Sequence, residues 1–172
     1  MRHLPVTRTA LSAPLALVVL AGAVLLPALA PPPAAAADSP GDALLGMWLT
    51  EAGDKGGRAR VEISRQGDGY SGRIVWLEEP DFAAGEKRAG QPKVDLENPD
   101  AKLQERPILG LEILHGFTFS GDGEWGGGTI YDPANGKTYK ARIRLETADT
   151  LDVRGYVGIT LFGRTTTWKR VK

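Results

Sequence analysis

The chain of 172 residues contains no cysteine. That excludes a disulfide framework, a thiol nucleophile and lipid attachment at a cysteine behind a leader. Histidine is almost as scarce, with His3 and His115 alone. A metal site would have to be rich in carboxylates or rest on a single imidazole, and no spacing supports either, so no metal and no cofactor is expected. No Gly-x-Ser-x-Gly occurs, and Ser64, Ser71 and Ser120 sit in strand or turn settings without a local partner, which leaves no recognisable catalytic constellation. Neither sign of charge dominates, with 21 basic residues against 21 acidic ones. Internal repeats and low-complexity stretches are absent after Asp38.

The first 37 residues read as a secretory signal. Arg2, His3 and Arg8 precede an apolar run from Ala10 to Ala30, and prolines and an alanine cluster follow, with small residues at Ala35 and Ala37 ahead of Asp38. Pro14 and Pro27 interrupt the run, which argues against an uncleaved anchor, and no second apolar stretch is long enough to span a bilayer. A cut before Asp38 leaves 135 residues, one small domain at 38–172, free of a membrane anchor in the periplasm or medium. Losing Arg2 and Arg8 leaves 19 basic residues against 21 acidic, a net charge of −2 that favours neither nucleic acid nor an anionic membrane surface.

The remainder is patterned for strands. Residues 125–139 run from strand-like positions into a turn and out again, with Asp132 opening the turn, Pro133 fixed at φ near −65° and Gly136 free to take positive φ. The preceding Gly126-Gly127-Gly128 permits a sharp bend or the close approach of a ligand or second backbone. Alternating segments lie near 46–50, 58–64, 70–78, 111–119, 139–146, 151–156 and 164–171. With the central hairpin they predict an all-β fold of eight antiparallel strands in an up-and-down barrel, joined by short links and one long connection, 79–107. Period two places Val61, Ile63, Ile74, Trp76, Ile113, Phe117, Tyr139, Ala141, Ile143, Leu151 and Val153 on inward-facing strand positions, and His115, on the face of Ile113 and Phe117, reads as a histidine satisfied at the barrel rim. Within the long connection, Asn98-Pro99-Asp100 signals one short helix ending near Arg106, before Pro107. The connection reads equally as a lid or plug and as a solvated insertion.

Several motifs resemble the bacterial secreted family called domain of unknown function 2147, whose members have a lipocalin-like barrel. They are Gly46-x-Trp48, Asp95-x-x-Asn98-Pro99, Leu109-Gly110, Trp125-x-Gly-Gly-x-Ile-Tyr-Asp-Pro, Gly136-Lys-Thr-Tyr, Val153-Arg154-Gly155-Tyr156 and Gly163-Arg164-Thr-x-x-Trp168. The resemblance implies that Trp48 seals a closed end and that Arg170, from the last strand, covers it. The family supplies architecture and no established activity.

An eight-stranded barrel either fills itself with side chains or holds one small ligand. The leading reading is a small hydrophobic or amphipathic ligand held among Ile74, Phe117, Tyr139 and Ile143, with a charged head near Arg154 or Arg164. Those arginines can equally form internal ion pairs with Asp95 or Asp132, and Tyr131 and Tyr156 either offer rim hydroxyls or pack. A solid barrel acting as a structural or protein-interaction module of the cell envelope is the alternative, and a hydrolase using Asp95 and Asp132 is a third reading.

Overall fold

The computed structural model describes residues 39–53 and 57–172. The leader reading therefore lies outside the described residues, as do residues 54–56. Nine strand segments form one sheet: β1 (Gly46–Leu49), β2 (Ala59–Gln66), β3 (Gly69–Leu77), β4 (Glu112–Gly121), β5 (Glu124–Gly126), β6 (Thr129–Asp132), β7 (Lys137–Thr147), β8 (Thr150–Tyr156) and β9 (Gly163–Arg170). β5 and β6 occupy a single place, since both pair with β4 on one side and β7 on the other. Eight positions result, each antiparallel to its sequence neighbour, and β9 returns to pair with β1. The closing seam is short: Trp48 pairs with Arg170 and Leu49 with Lys169.

The glycine run separates β5 from β6. Gly127 takes φ 76°, and the Phe117 ring lies so close to Gly128 that any Cβ there would collide with it. The run is a bend, and what approaches it is a side chain of the barrel's own core. At the hairpin tip the Asp132 carbonyl accepts from Gly136 N at 2.9 Å, and its carboxylate accepts from Ala134 N at 2.9 Å.

Two irregularities redirect side chains that simple alternation aims inward. Between β2 and β3, Arg60 pairs with Trp76 but Val61 pairs with Ile74, so Val75 is an extra residue and the alternation reverses beyond it. Trp76 therefore lies beside Arg60, whose guanidinium stands 4.7 Å from the ring centroid, and is 36% exposed. In β4, Tyr70 pairs with Phe117 and Gly72 with Leu114, leaving an extra residue where Gly116 adopts φ 71°. His115 is thrown outward to pair with Glu112 at 2.8 Å, and Leu114 takes the fully buried place.

One end of the barrel is solid. Leu44, Trp48, Val61, Phe117, Trp125, Ile143 and Leu151 are buried to 1% exposure or less. A 3-10 turn, Pro40–Leu44, lies over this end. Trp125 Nε1 donates to Gly41 O at 3.1 Å, Trp48 Nε1 to Leu44 O at 2.9 Å, and Arg65 holds Asp42 at 2.7 Å.

The long connection carries only a 3-10 turn, Ala101–Leu103, rather than a helix reaching Arg106. Its cap is Asp100, whose carboxylate accepts from Lys102 N, and the Asn98 side chain accepts from Asp100 N two residues on. An Asx turn competes with helix start at such sites, and here it prevails because the other end of Asn98 is engaged elsewhere.

Candidate functional site

The other end of the barrel holds a cavity of about 480 Å³. Ile113, Ile130, Val153 and Trp168 supply its apolar walls, and Tyr139 and Gly155 continue them. Nearer solvent come Glu51, Asn135, Tyr156, Phe162 and Arg164. Local sequence explains the space. Gly155 presents no side chain where Ile130 and Tyr139 approach, and β9 pairs with β1 only at Lys169 and Arg170, so the stretch 50–53 stands apart from β9. Glu51 spans that gap, its carboxylate accepting from Thr167 N at 3.0 Å. Trp168 is held by a hydrogen bond from Nε1 to Thr166 Oγ1 at 3.0 Å.

Of the six residues that sequence reasoning placed around a ligand, Tyr139 and Arg164 line this cavity. Ile74, Phe117 and Ile143 do not: each is buried to 3% exposure or less within the barrel and none borders the cavity. Arg154 points away from the interior altogether. It pairs across the sheet with Arg142 and Thr165 on the outer face, donating from Nε to Thr160 O at 2.8 Å, from Nη1 to Thr165 Oγ1 at 2.9 Å and from Nη2 to Leu161 O at 3.3 Å. Neither Asp95 nor Asp132 is its partner.

Asp95 has a different role. It is fully buried, and Arg106 reaches it at 2.7 Å, Asn98 Nδ2 at 2.8 Å and the Tyr131 hydroxyl at 2.7 Å. Burial and the neighbouring carboxylate push the Tyr131 hydroxyl above its ordinary pKa, so it is a hydrogen-bond donor at neutral pH. The cluster pins the long connection to β6, and Gly136 completes the contact. Its φ is 68°, and Glu97 O lies where a Cβ would project. Among the described residues, none between 57 and 112 lines the cavity, so the connection is neither plug nor lid of this space. Asp132 does reach the cavity, but its oxygens hold the turn through Ala134 N and Asn135 Nδ2, and Asn135 also donates to the Tyr139 hydroxyl at 3.1 Å. Asp95 and Asp132 thus belong to two separate structural networks rather than to one facing pair.

At the closed end, Arg170 covers Trp48 with its guanidinium 4.0 Å from the ring centroid. Its nitrogens donate to the carbonyls of Ala43, Leu45 and Ala148 at 2.6–2.8 Å. Gly46, at φ 117°, leaves room for that approach, since a Cβ there would stand 3.1 Å from Arg170 Nη1.

With this geometry in hand, comparison with known proteins decides the family. The model of a family described as uncharacterized protein conserved in bacteria (DUF2147) matches residues 46–170. The chain belongs to this family. Among solved structures it is similar to protein HP1028 from Helicobacter pylori, described as a lipocalin family member, with 25% identity over 75% of this chain and 83% of that one and a TM-score of 0.63. The DUF2147 chain is accordingly a closed, eight-position antiparallel barrel of lipocalin type. No curated protein matches it. Among the described residues, no group of three or more His, Cys, Asp or Glu is placed to hold a metal, and no helix is long and apolar enough to cross a membrane.

Sequence reasoning missed Ile130 and Trp168 as cavity walls, and it passed over Val157-Gly158-Ile159-Thr160-Leu161-Phe162. The signal for the latter was present: an apolar run stands where a link between two strands is ordinarily polar.

Proposed function

We propose that this protein binds one small amphipathic molecule with an anionic head, in a compartment reached by export. The cavity carries the reading. Its volume falls within the range typical of small-molecule sites, and it joins apolar walls to a few polar groups at one edge. The tail lies against Ile113, Ile130, Val153 and Trp168, and the head meets Arg164 and the Tyr156 hydroxyl near solvent. Each buried methylene contributes about 0.8 kcal/mol, and a charge-assisted pair adds about 1.5–3 kcal/mol and sets orientation. The basic, then apolar, then alanine-rich start of the chain supports export.

Calorimetric titration with a series of straight-chain carboxylates and the matching alcohols tests the reading. Affinity is expected to rise with chain length in both series until the cavity is filled. Arg164→Gln weakens the acids by about tenfold or more and leaves the alcohols unchanged, as loss of one charge-assisted contact requires. Val153→Trp, which fills the cavity, abolishes both. Absence of binding by every member at millimolar concentration overturns the proposal and favours a barrel that serves as a scaffold.

A further inference from the structure

The link between β8 and β9 exposes Val157, Ile159, Leu161 and Phe162 to 60% or more of their surface, beside the mouth of the cavity. Four large apolar side chains in six residues form an exposed patch that needs an occupant. Its backbone says which kind. Val157 N donates to Phe162 O at 3.1 Å and Phe162 N to Ile159 O at 3.2 Å, while Arg154 fills the carbonyls of Thr160 and Leu161 from the barrel side. A segment that docks by adding a strand to another protein leaves main-chain groups open for pairing. This one has folded four of its carbonyls and two of its amides back on the molecule. This partial pairing lowers the cost of bringing the loop into the boundary between headgroups and acyl chains, where the amides of Gly158, Ile159, Thr160 and Leu161 can still meet water.

Charge supplies the second observation. From Val153 to Trp168, the stretch that brackets the loop, the chain carries Arg154 and Arg164 and no acid. On β7, Lys140 stands opposite Tyr156 at the base of the loop and Arg142 opposite Arg154, both exposed. An apolar tip thus rises from a cationic collar, although the net charge of the exported chain is slightly negative. Loops of this character sit at the boundary between lipid headgroups and acyl chains, with the basic residues at headgroup depth.

We infer that residues 157–162 insert into the surface of an anionic phospholipid membrane, with Arg142, Arg154, Arg164 and Lys140 facing the headgroups and the cavity mouth turned to the bilayer. This contact is peripheral and independent of whether the cavity binds a ligand.

The absence of cysteine makes the test direct. In the full chain, Leu161→Cys carrying a nitroxide reports only from the loop, and Asp68→Cys, in the turn between β2 and β3, reports from the solid end. With phosphatidylglycerol vesicles the label at 161 is expected to gain accessibility to oxygen and lose it to a water-soluble nickel reagent, while the label at 68 stays in water. Phosphatidylcholine vesicles should give a much smaller change at 161. Phe162→Asp, by removing one large apolar anchor, should lower the fraction inserted at position 161 by about tenfold or more. A label at 161 that remains in water on anionic vesicles overturns the inference, whether or not the leader segment binds them. Spin–spin broadening at 161 in buffer, without vesicles, would instead identify a second copy of the chain as the occupant and overturn it equally.

Discussion

Arg170 lies flat over Trp48 at 4.0 Å and at the same time fills the carbonyls of Ala43, Leu45 and Ala148. One side chain therefore joins the last strand, the 3-10 turn over the solid end and the turn between β7 and β8. Trp48→Ala should cost about 3–5 kcal/mol in urea unfolding, as large-to-small changes in a filled core do. Arg170→Lys keeps the charge but not the planar fork, and should cost about 2 kcal/mol by leaving carbonyls unpaired. An unchanged denaturation midpoint in Arg170→Lys would show that the three hydrogen bonds to Ala43, Leu45 and Ala148 are dispensable.

The Asp95 cluster should behave as a local latch. Asp95→Asn weakens the contact with Arg106, which is one-third exposed and so retains water as a partner; a loss of about 1–3 kcal/mol is expected. Because the cluster fastens the connection rather than the barrel, hydrogen exchange separates the two. The amides of Asp95 and Ile108, which bond to Arg106 O and Lys93 O, should exchange faster in the variant. Those shared by β7 and β8 should not change. Uniform acceleration across the sheet would mean that the connection and barrel unfold as one unit.

Acid should loosen the open end before the core. Hydrogen bonds from the Arg58 side chain and backbone lower Glu78 from an ordinary 4.5 to about 2. A carboxylate depressed in the folded state contributes stability that is complete above pH 4.5 and is lost as pH falls towards 2. The pair is exposed, so the effect is modest and screened by salt. In Glu78→Gln the thermal midpoint should fall less between pH 4.5 and 2 than it does in the parent protein. Parallel curves would show that the pair contributes nothing to folding.

Much of the barrel was legible because a half-buried strand writes its two faces into alternate residues. The segments around 61, 74, 143 and 153 lie where that alternation places them, and Asp132-Pro133 with Gly136 specifies the central turn by backbone chemistry alone. Alternation counts residues, however, and cannot register an inserted one. Val75 and Gly116 each add a residue without altering composition, and each turns its neighbour, Trp76 or His115, to the opposite face. The cavity was hidden for a related reason. Ile143 and Val153 look alike in sequence and pair directly across the sheet, yet only Val153 borders open space, because depth along the barrel depends on which end is sealed. Arg154 was misplaced because its acceptors are main-chain carbonyls, which every sequence has and none advertises.

The order of synthesis matters for a sheet closed by its two ends. Arg170 meets Leu45 across 125 positions of chain, and the seam between β1 and β9 consists of two residue pairs. Contacts of such separation form late, after the loop they close has already been reduced by the hairpins between them. A polypeptide emerging from a ribosome or a translocation channel amino end first can build the meander from β1 to β8 but cannot complete its circle until Gly163–Arg170 is free. Until then Trp48 lacks its cover and both sheet edges stay open to other chains. Truncation within the last strand is therefore expected to make the chain aggregate, a far heavier penalty than the small number of residues removed suggests.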